Sequence, residues 1–209
     1  MADDEGTGLT PTPGPELRGT FDEMYEGTPP WEIGRPQPAL LAVAEAGGLA
    51  GRVLDAGCGT GEHALMAAGM GLDATGVDSA PRAIAIAERK ARERGLEARF
   101  LVWDVLDLVT LDERFDTVLD CGLFHVLDDA DRAAFVESLR AAVPPGGRYY
   151  MLCFSDRQPG DYGPRRVSQD EIRESFADGW GVEAIDEAKL EVTFAPEGAR
   201  AWRATIVRG

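Results

Sequence analysis

Two short segments carry the residue types that bind a nucleotide-like ligand. Asp55-Ala-Gly-Cys-Gly-Thr-Gly61 follows one apolar run, and Gly76-Val-Asp78 ends a second apolar run about twenty residues later. Glycines let the backbone approach a ligand closely, and a carboxylate at the end of the next strand can accept hydrogen bonds from both ribose hydroxyls. We therefore expect Gly57, Gly59 and Asp78 to bind a nucleoside-type cofactor at one edge of a parallel sheet.

The glycine spacing argues against a dinucleotide. A dinucleotide turn has the pattern G-x-G-x-x-G, but the glycines here stand at Gly57, Gly59 and Gly61, and Glu62 occupies the third dinucleotide position. A carboxylate at a helix start suits the helix dipole and repels a pyrophosphate. It tolerates a ligand that carries an ammonium or sulfonium charge. A nicotinamide-dependent oxidoreductase on a similar sheet stays open as the less favoured alternative.

Composition limits the partners. The chain has 209 residues, enough for one domain with a sizeable core, and its formal net charge is −16. This balance disfavours nucleic acid, whose phosphates need a basic surface, and it disfavours anionic membranes. It suits a small neutral or weakly acidic molecule. The N-terminus lacks the basic start and apolar core of a signal peptide, so we expect a cytoplasmic protein, monomeric or homodimeric.

The cysteines do not form a recognisable metal or disulfide pattern. The chain has an odd number of cysteines, Cys58, Cys121 and Cys153, and none of them forms a CxxC pair. Its two histidines are His63 and His125. We expect reduced core cysteines and no metal site.

Apolar segments alternate with helical patterns along the chain. This alternation predicts an α/β fold with a mostly parallel sheet and helices on both faces, and the last two strands, with little helix between them, form an antiparallel hairpin. The predicted strands are Arg52–Asp55, Ala74–Asp78, Ala98–Trp103, Phe115–Cys121, Arg148–Phe154, Val182–Ile185 and Trp202–Val207. The predicted helices are Pro38–Ala46, Gly61–Gly69, one capped by Ser79 with Pro81 as its first residue, Asp129–Val143, and Gln169–Phe176 capped by Ser168.

The domain organisation follows from composition. Residues 1–17 are rich in Gly, Pro, Thr and acids, which predicts a disordered tail. Residues 18–209 are expected to form a single domain, with a cap or lid segment at about residues 20–46.

In combination, these segments resemble the class I S-adenosylmethionine-dependent methyltransferases, whose first motif reads much like residues 55–61. The resemblance implies a Rossmann-like, doubly wound sheet of seven strands with an antiparallel last strand. It implies S-adenosylmethionine as methyl donor, S-adenosylhomocysteine as product and no metal. The implied cofactor-binding residues are Asp55 near the ammonium group, Gly57, Gly59, Asp78 on the ribose, Ser79, Asp104 and Val105 near the adenine, and Cys121 through its backbone. An exposed strand-end acid is the alternative for Asp104.

A narrower resemblance lies nearer the N-terminus. Residues 29–36, Pro-Pro-Trp-Glu-Ile-Gly-Arg-Pro, are similar to the entry segment of the thiopurine, thiol and halide methyltransferase-like group and of bacterial enzymes that methylate phenols and heterocycles. The resemblance implies that Trp31 packs beside the methionine end of the cofactor. An indole face attracts a sulfonium and excludes water. The alternative is that Trp31 only covers the sheet edge. Tyr25 in the same segment is a candidate substrate contact.

Residues beyond the fourth strand are candidates for the acceptor side. His125 has a pKa suited to general-base work near neutral pH, so it can deprotonate a phenolic hydroxyl or thiol, and Phe124 is a candidate substrate contact. Two considerations argue against His125 as a general base. An acceptor that is already ionised needs no base, and a lone histidine is often structural. In the long loop 156–166, Tyr162 and Arg166 are further candidates, with a solvated surface loop as the alternative.

The sequence therefore predicts a small-molecule methyltransferase, with O-methylation of a phenolic or heterocyclic hydroxyl as the favoured reaction. A thiol or halide methyltransferase-like enzyme and a non-catalytic S-adenosylmethionine-binding protein remain as alternatives.

Overall fold

The computed structural model describes residues 21–161 and 163–209, so the predicted tail of residues 1–17 and the candidate Tyr162 lie outside the described residues. The strands are β1 Arg52–Ala56, β2 Asp73–Asp78, β3 Arg99–Val102, β4 Thr117–Cys121, β5 Arg148–Phe154, β6 Trp180–Val192 and β7 Ala195–Arg208. The helices are α1 Pro38–Glu45, α2 Glu62–Gly69, α3 Pro81–Arg94, α4 Asp129–Ala142 and α5 Gln169–Ser175. Short 3-10 segments at Val105–Leu111 and Phe124–Val126 follow β3 and β4.

The seven strands form one sheet in the order β3-β2-β1-β4-β5-β7-β6. Strands β1 to β5 pair in parallel, while β7 is antiparallel to both β5 and β6. This confirms the predicted Rossmann-like, mostly parallel sheet with an antiparallel last strand. The chain winds outward from β1 to β3 and then returns to the other side of β1 with β4. A crevice at the carboxyl ends of strands opens where the strand order reverses in this way.

Successive side chains of a strand point to opposite faces of the sheet, and both faces of this sheet are covered by packed residues. Leu54 packs in one buried cluster together with Phe135 of α4. Val53 packs in another cluster together with Leu40 of α1. The continuous apolar runs of the central strands are explained by this two-sided burial.

The C-terminal hairpin is much longer than predicted. The sequence predicted only Val182–Ile185 and Trp202–Val207, yet β6 and β7 pair along almost their whole lengths. Only Ala201–Val207 of β7 also pairs with β5, so the distal half of the hairpin extends past the sheet. The distal part of β6, Glu187–Val192, does alternate charged and apolar residues, so the strand signal was present there and was missed. Pro196 and Gly198 interrupt the pattern in the paired part of β7.

The helix ends agree with the predicted caps in one case and differ in another. Ser168 forms a reciprocal capping box with Glu171 at the start of α5, as predicted. The prediction that Ser79 caps α3 was wrong. The N-cap residue is Ala80, and the N–H of Arg82 in the first turn donates to Oδ1 of Asp22 at 2.8 Å, so an acid from residues before α1 takes the place of the serine.

A buried carboxylate fixes the turn after β4. Asp120 is fully buried, and its Oδ1 accepts a hydrogen bond from the N–H of Leu123 at 2.8 Å. Its Oδ2 accepts from the N–H of Phe124 at 3.1 Å and from the hydroxyl of Tyr149 at 2.6 Å. Burial raises the pKa of Asp120 to about 7, and the three donors work in the opposite direction because they favour the charged form.

We predict that Tyr149→Phe destabilises the fold by about 1–3 kcal/mol, because it leaves a buried charged acceptor short of one donor. Without this donor the native pKa of Asp120 rises further, so the cost should be larger at pH 8, where Asp120 is ionised, than at pH 5.5, where it is protonated. Urea unfolding at both pH values measures this. Tyr150→Phe is the matched control, because it removes the hydroxyl that donates to Gly48 O from the next residue of the strand. An equal cost at both pH values for Tyr149→Phe contradicts the prediction.

Candidate functional site

The glycine turn between β1 and α2 has no room for side chains. Gly57, Gly59 and Gly61 all have positive φ angles, of 67°, 51° and 83°. A Cβ atom at Gly61 would lie 2.6 Å from the ring of Phe100, and one at Gly59 would lie 2.8 Å from the hydroxyl of Tyr25. Neighbouring side chains thus fill the space beside Gly59 and Gly61, so only glycine fits there, and Gly57 and Gly59 stay half-buried at the carboxyl end of β1.

Asp78 links the glycine turn to the start of α3. Its Oδ2 accepts from the N–H of Gly59 at 2.8 Å, and its Oδ1 accepts from the N–H of Ala80. A carboxylate has about four lone-pair sites, so two remain for ligand hydroxyls. Burial raises the pKa of Asp78, and the backbone N–H donors oppose that rise.

Asp55 is buried at the end of β1 and only partly satisfied. Its Oδ2 accepts from the N–H of Ala64 at 3.0 Å, whereas its buried Oδ1 has no hydrogen-bond partner within residues 21–161 and 163–209. Burial raises the pKa of Asp55 to about 7, and the neighbouring carboxylates Asp78 and Asp120 add to the rise. An orphaned carboxylate oxygen among like charges is a favourable place for a cationic group or a bridging water.

The remaining predicted cofactor residues line the same edge of the sheet. Asp104 follows β3, and its Oδ1 accepts from the N–H of Leu106. The side chain of Val105 is buried in the core, so only its backbone can face a ligand. Ser79 is exposed, and Cys121 is the half-buried last residue of β4. Their roles stay predictions.

Trp31 and Tyr25 pack together over the start of α3. The indole Nε1 of Trp31 donates to the hydroxyl of Tyr25 at 3.1 Å, and the two rings meet edge to face. Both contact the cluster of Ala80 and Ala83, close to Asp78. The Tyr25 hydroxyl thus points at the glycine turn, which favours a position beside the predicted cofactor over the predicted substrate contact. Burial raises the pKa of Tyr25, so the phenol stays neutral.

His125 is buried and its two ring nitrogens have different tasks. The backbone N–H of Phe154 donates to Nδ1 at 2.9 Å. An amide N–H can only donate, so Nδ1 is unprotonated and the neutral ring carries its proton on Nε2. Nε2 lies beside Gly122, where an added Cβ would be 3.3 Å away. Burial, with help from Arg132 and Arg166, lowers the pKa of His125 to about 3.

This arrangement favours a different role from the one that the sequence suggested. With Nδ1 engaged and a pKa far below neutral, the imidazole cannot take a proton near pH 7 as a general base. Among the described residues, no group hydrogen-bonds Nε2 of His125. Its N–H is therefore available as a donor to a ligand atom.

Two other substrate candidates have structural contacts. Phe124 is fully buried in the core against Phe176, so the predicted substrate contact is not supported by its position. Arg166 donates to the carbonyls of Gln158 and Gly160 and lies over the ring of Phe154 at 5.3 Å. It organises the loop 156–166 from within, and its role as a substrate contact stays a prediction.

Glu62 does not leave an uncompensated negative charge at the start of α2. Lys90 donates to its Oε1, and Arg94 donates to both of its oxygens, each at 2.8 Å. These contacts lower the pKa of Glu62 despite its burial. The argument against a dinucleotide therefore rests on the glycine spacing and not on the charge of Glu62.

Sequence reasoning missed Lys90, which contacts the glycine turn as well as Glu62. A sequence signal was present. Lys90 lies seven residues after Ala83 and three after Ala87, so all three share one face of α3. Both alanines are buried. A lysine on the buried face of a helix indicates a specific acceptor.

Cys58, Cys121 and Cys153 are free cysteines. No group of three or more His, Cys, Asp or Glu side chains within residues 21–161 and 163–209 could hold a metal ion. Over the same residues, every helix is too short or too polar to cross a membrane.

Comparisons with known proteins agree on one family. A family described as a methyltransferase domain matches residues 53–147. The chain is 40% identical to a 2-heptyl-1-hydroxyquinolin-4(1H)-one methyltransferase of Mycobacteroides abscessus, over 83% of this chain and 78% of that one. It is 27% identical to a probable thiol methyltransferase 2 of Arabidopsis thaliana, over 85% and 80% of the two chains.

A solved structure extends the agreement to the fold. It is described as "Conversion of a Disulfide Bond into a Thioacetal Group during Echinomycin Biosynthesis", is 39% identical, and superposes with a TM-score of 0.84 over 91% of this chain and 92% of that one. Together with the glycine turn, the strand-end acids and the sheet order, these similarities establish that the chain belongs to the class I S-adenosylmethionine-dependent methyltransferases.

Proposed function

We propose that this protein methylates a small phenolic or heterocyclic hydroxyl, and that it does so on the ionised oxygen. The observation that carries the proposal is the tautomer of His125, which presents an N–H donor and no base at the end of β4. Such a donor favours an oxyanion in the acceptor. The similarity to a relative named for a heterocycle that bears a hydroxyl group supports the same acceptor class.

The residues present fit S-adenosylmethionine. The orphaned Oδ1 of Asp55 suits the ammonium group, directly or through water, and Asp78 has lone pairs left for two ribose hydroxyls. Gly57 and Gly59 of the glycine turn are half-buried beside them. When bound, this cofactor supplies an electrophilic methyl group on a sulfonium that accepts the displaced electron pair.

The chain itself positions the cofactor and the acceptor, excludes water from them and polarises the acceptor oxygen. The backbone between Gly57 and Gly61 and the acid Asp78 hold the cofactor in one orientation, which lowers the entropic cost of an in-line attack. Trp31 and Tyr25 exclude water on the cofactor side. His125 donates through Nε2 to the acceptor oxygen, lowers the pKa of that hydroxyl, and keeps it deprotonated for attack.

Sulfur is the second candidate for the accepting atom. The solved relative at 39% identity is described by a conversion of a disulfide into a thioacetal, and the Arabidopsis relative is named as a probable thiol methyltransferase. A neutral thioether or an ionised thiol needs no general base, which also agrees with the low pKa of His125. An N–H donor is worth less to sulfur than to an oxyanion, so His125 variants separate the two candidates.

A series of acceptors tests the proposal. S-adenosylhomocysteine formation, measured by mass spectrometry, should be faster with hydroxyls that ionise near neutral pH, such as N-hydroxy heterocycles, than with phenols of pKa about 10. Turnover restricted to thiols, thioethers or halides contradicts the oxygen proposal, and turnover on thiols or thioethers supports sulfur. Cofactor binding without turnover on any acceptor supports the non-catalytic alternative.

His125→Asn separates the donor role from the structural role. The asparagine Oδ1 can still accept from the N–H of Phe154, but the Nε2 donor is lost. The bound acceptor should then ionise about one pH unit higher, the equivalent of one hydrogen bond of about 1.4 kcal/mol. The acid limb of the kcat profile therefore moves to higher pH, and kcat approaches the wild-type value at alkaline pH. A kcat that is low at every pH indicates a general base and contradicts the donor role.

Cofactor affinity should depend on pH through Asp55. A bound ammonium favours ionised Asp55 and lowers its pKa from about 7, so the complex holds fewer protons than the free protein. By linkage, S-adenosylhomocysteine should bind more tightly as pH rises from 6 to 8, by up to about tenfold per pH unit below the pKa. Isothermal titration of the wild type and of Asp55→Asn measures this. The same slope in both proteins would show that Asp55 is not the responsible group.

A further inference from the structure

Lys90 donates to acceptors from two distant parts of the chain. Its Nζ lies 2.6 Å from Oγ1 of Thr60 in the glycine turn, 2.8 Å from Oε1 of Glu62 in α2, and 3.3 Å from Oε1 of Glu32. An ammonium group has three N–H donors, so each donor has one acceptor. Thr60 and Glu62 flank Gly61, whereas Glu32 is distant from both in the sequence. Glu32 belongs to residues 21–37, the part of the predicted cap or lid that precedes α1. From here on, the name cap segment means residues 21–37.

The cluster around Lys90 is shielded from solvent. The side chains of Lys90 and Glu32 are each 17% exposed, and that of Glu62 is 8% exposed. Exposed ion pairs contribute little, but shielded ones are less screened by salt, and removal of one partner leaves an unbalanced charge. Without Lys90, the two carboxylates would face each other, and Arg94 would pair with Glu62 but, among the described residues, with neither oxygen of Glu32.

Glu32 holds the cap segment against the turn by several contacts. Its Oε2 accepts from the hydroxyl of Thr60, and its Oε1 accepts from the N–H of Gly34 at 2.9 Å as well as from Lys90. Glu32 is the next residue after Trp31, whose ring packs against the cluster of Tyr25, Ala80 and Ala83. The position of the indole therefore depends on the position of Glu32.

We propose that Lys90 is a positioning residue that closes residues 31–34 of the cap segment over the glycine turn, and thereby strengthens cofactor binding. The second half of this inference rests on the proposed function, because it requires that the cofactor occupies the turn. The first half concerns the chain alone and can be tested without any ligand.

Contacts on either side of residues 31–34 do not depend on Lys90. The carbonyl of Pro30 accepts from the N–H of Thr193 at 2.8 Å, so the tip of the β6–β7 hairpin holds one end. The side-chain amide of Gln37 exchanges hydrogen bonds with the backbone of Glu191 at 2.9 and 2.8 Å, which holds the other end. Loss of Lys90 should therefore release a short stretch and leave the rest of the cap segment attached.

Arg94 provides the matched control. It pairs with the same carboxylate of Glu62 from the same helix, one turn further on, but has no hydrogen bond to Glu32 or Thr60 among the described residues. Lys90→Met keeps most of the apolar stem and removes the ammonium. Arg94→Met also removes one positive charge beside Glu62, so a general effect of charge or of Glu62 should appear equally in both variants.

The experiment is hydrogen–deuterium exchange on the ligand-free protein, followed by titration with S-adenosylhomocysteine. Lys90→Met should speed exchange of the amides at residues 31–34 about tenfold, the effect of one charge-assisted contact, while peptides from β4 and β5 stay at the wild-type rate. The dissociation constant should rise by a similar factor. Arg94→Met should leave the exchange of residues 31–34 at the wild-type rate.

Three results overturn the proposal: unchanged exchange at residues 31–34 in Lys90→Met, the same change in Arg94→Met, or faster exchange with unchanged affinity. If Lys90→Met exchanges faster everywhere, Glu32→Gln replaces it, because the amide oxygen still accepts from Thr60 while the charge that Lys90 binds is gone. It should speed exchange of the same residues by a smaller factor, and no change there counts against the proposal. A wild type that binds no S-adenosylhomocysteine refutes the proposed function, and the exchange result alone then decides the role of Lys90.

Discussion

The close packing between the glycine turn and β2 is the constraint on which the site depends. The ring of Phe100 fills the space that Cβ atoms at Gly61 and Gly76 would need, at 2.6 and 2.7 Å. The turn can therefore settle directly onto the neighbouring strand, and Gly59 comes within hydrogen-bond distance of Asp78. Because the strand ends are brought together in this way, three acids (Asp55, Asp78 and Asp120) and the half-buried glycine turn share one small region. A side chain at either glycine would displace Phe100 and separate these groups.

That region is acidic and poorly solvated, and this combination determines what it can bind. Burial raises the pKa of Asp55, Asp78 and Asp120, so their ionised forms are costly until a donor or cation compensates them. Asp78 and Asp120 find backbone N–H donors, and Asp120 also finds Tyr149. Asp55 alone keeps an oxygen without a partner among the described residues. The site is thus prepared for a ligand with a positive charge, which agrees with a sulfonium cofactor that also carries an ammonium group.

The sequence predicted the features that local patterns encode. Strand β5 was predicted with its observed limits because it is a continuous apolar run, and the glycine turn was visible because its conformation requires glycine. Features that depend on distant partners were not predictable. The first-turn N–H of Arg82 in α3 is bonded by Asp22 in place of Ser79, and the tautomer of His125 is set by a backbone N–H 29 residues away. Phe124 was assigned to the substrate because it adjoins His125, but the 3-10 turn sends the two side chains to different places.

Transfer of a labelled methyl group tests the central claim most directly. The protein is incubated with S-adenosylmethionine carrying a ¹³C-methyl group and an acceptor with an N-hydroxy heterocycle, and the product is examined by carbon NMR. The account predicts a methyl carbon bonded to oxygen, formed faster as pH rises through the pKa of the bound hydroxyl. A methyl group on sulfur or nitrogen only, or no transfer by protein that binds the cofactor, would contradict it.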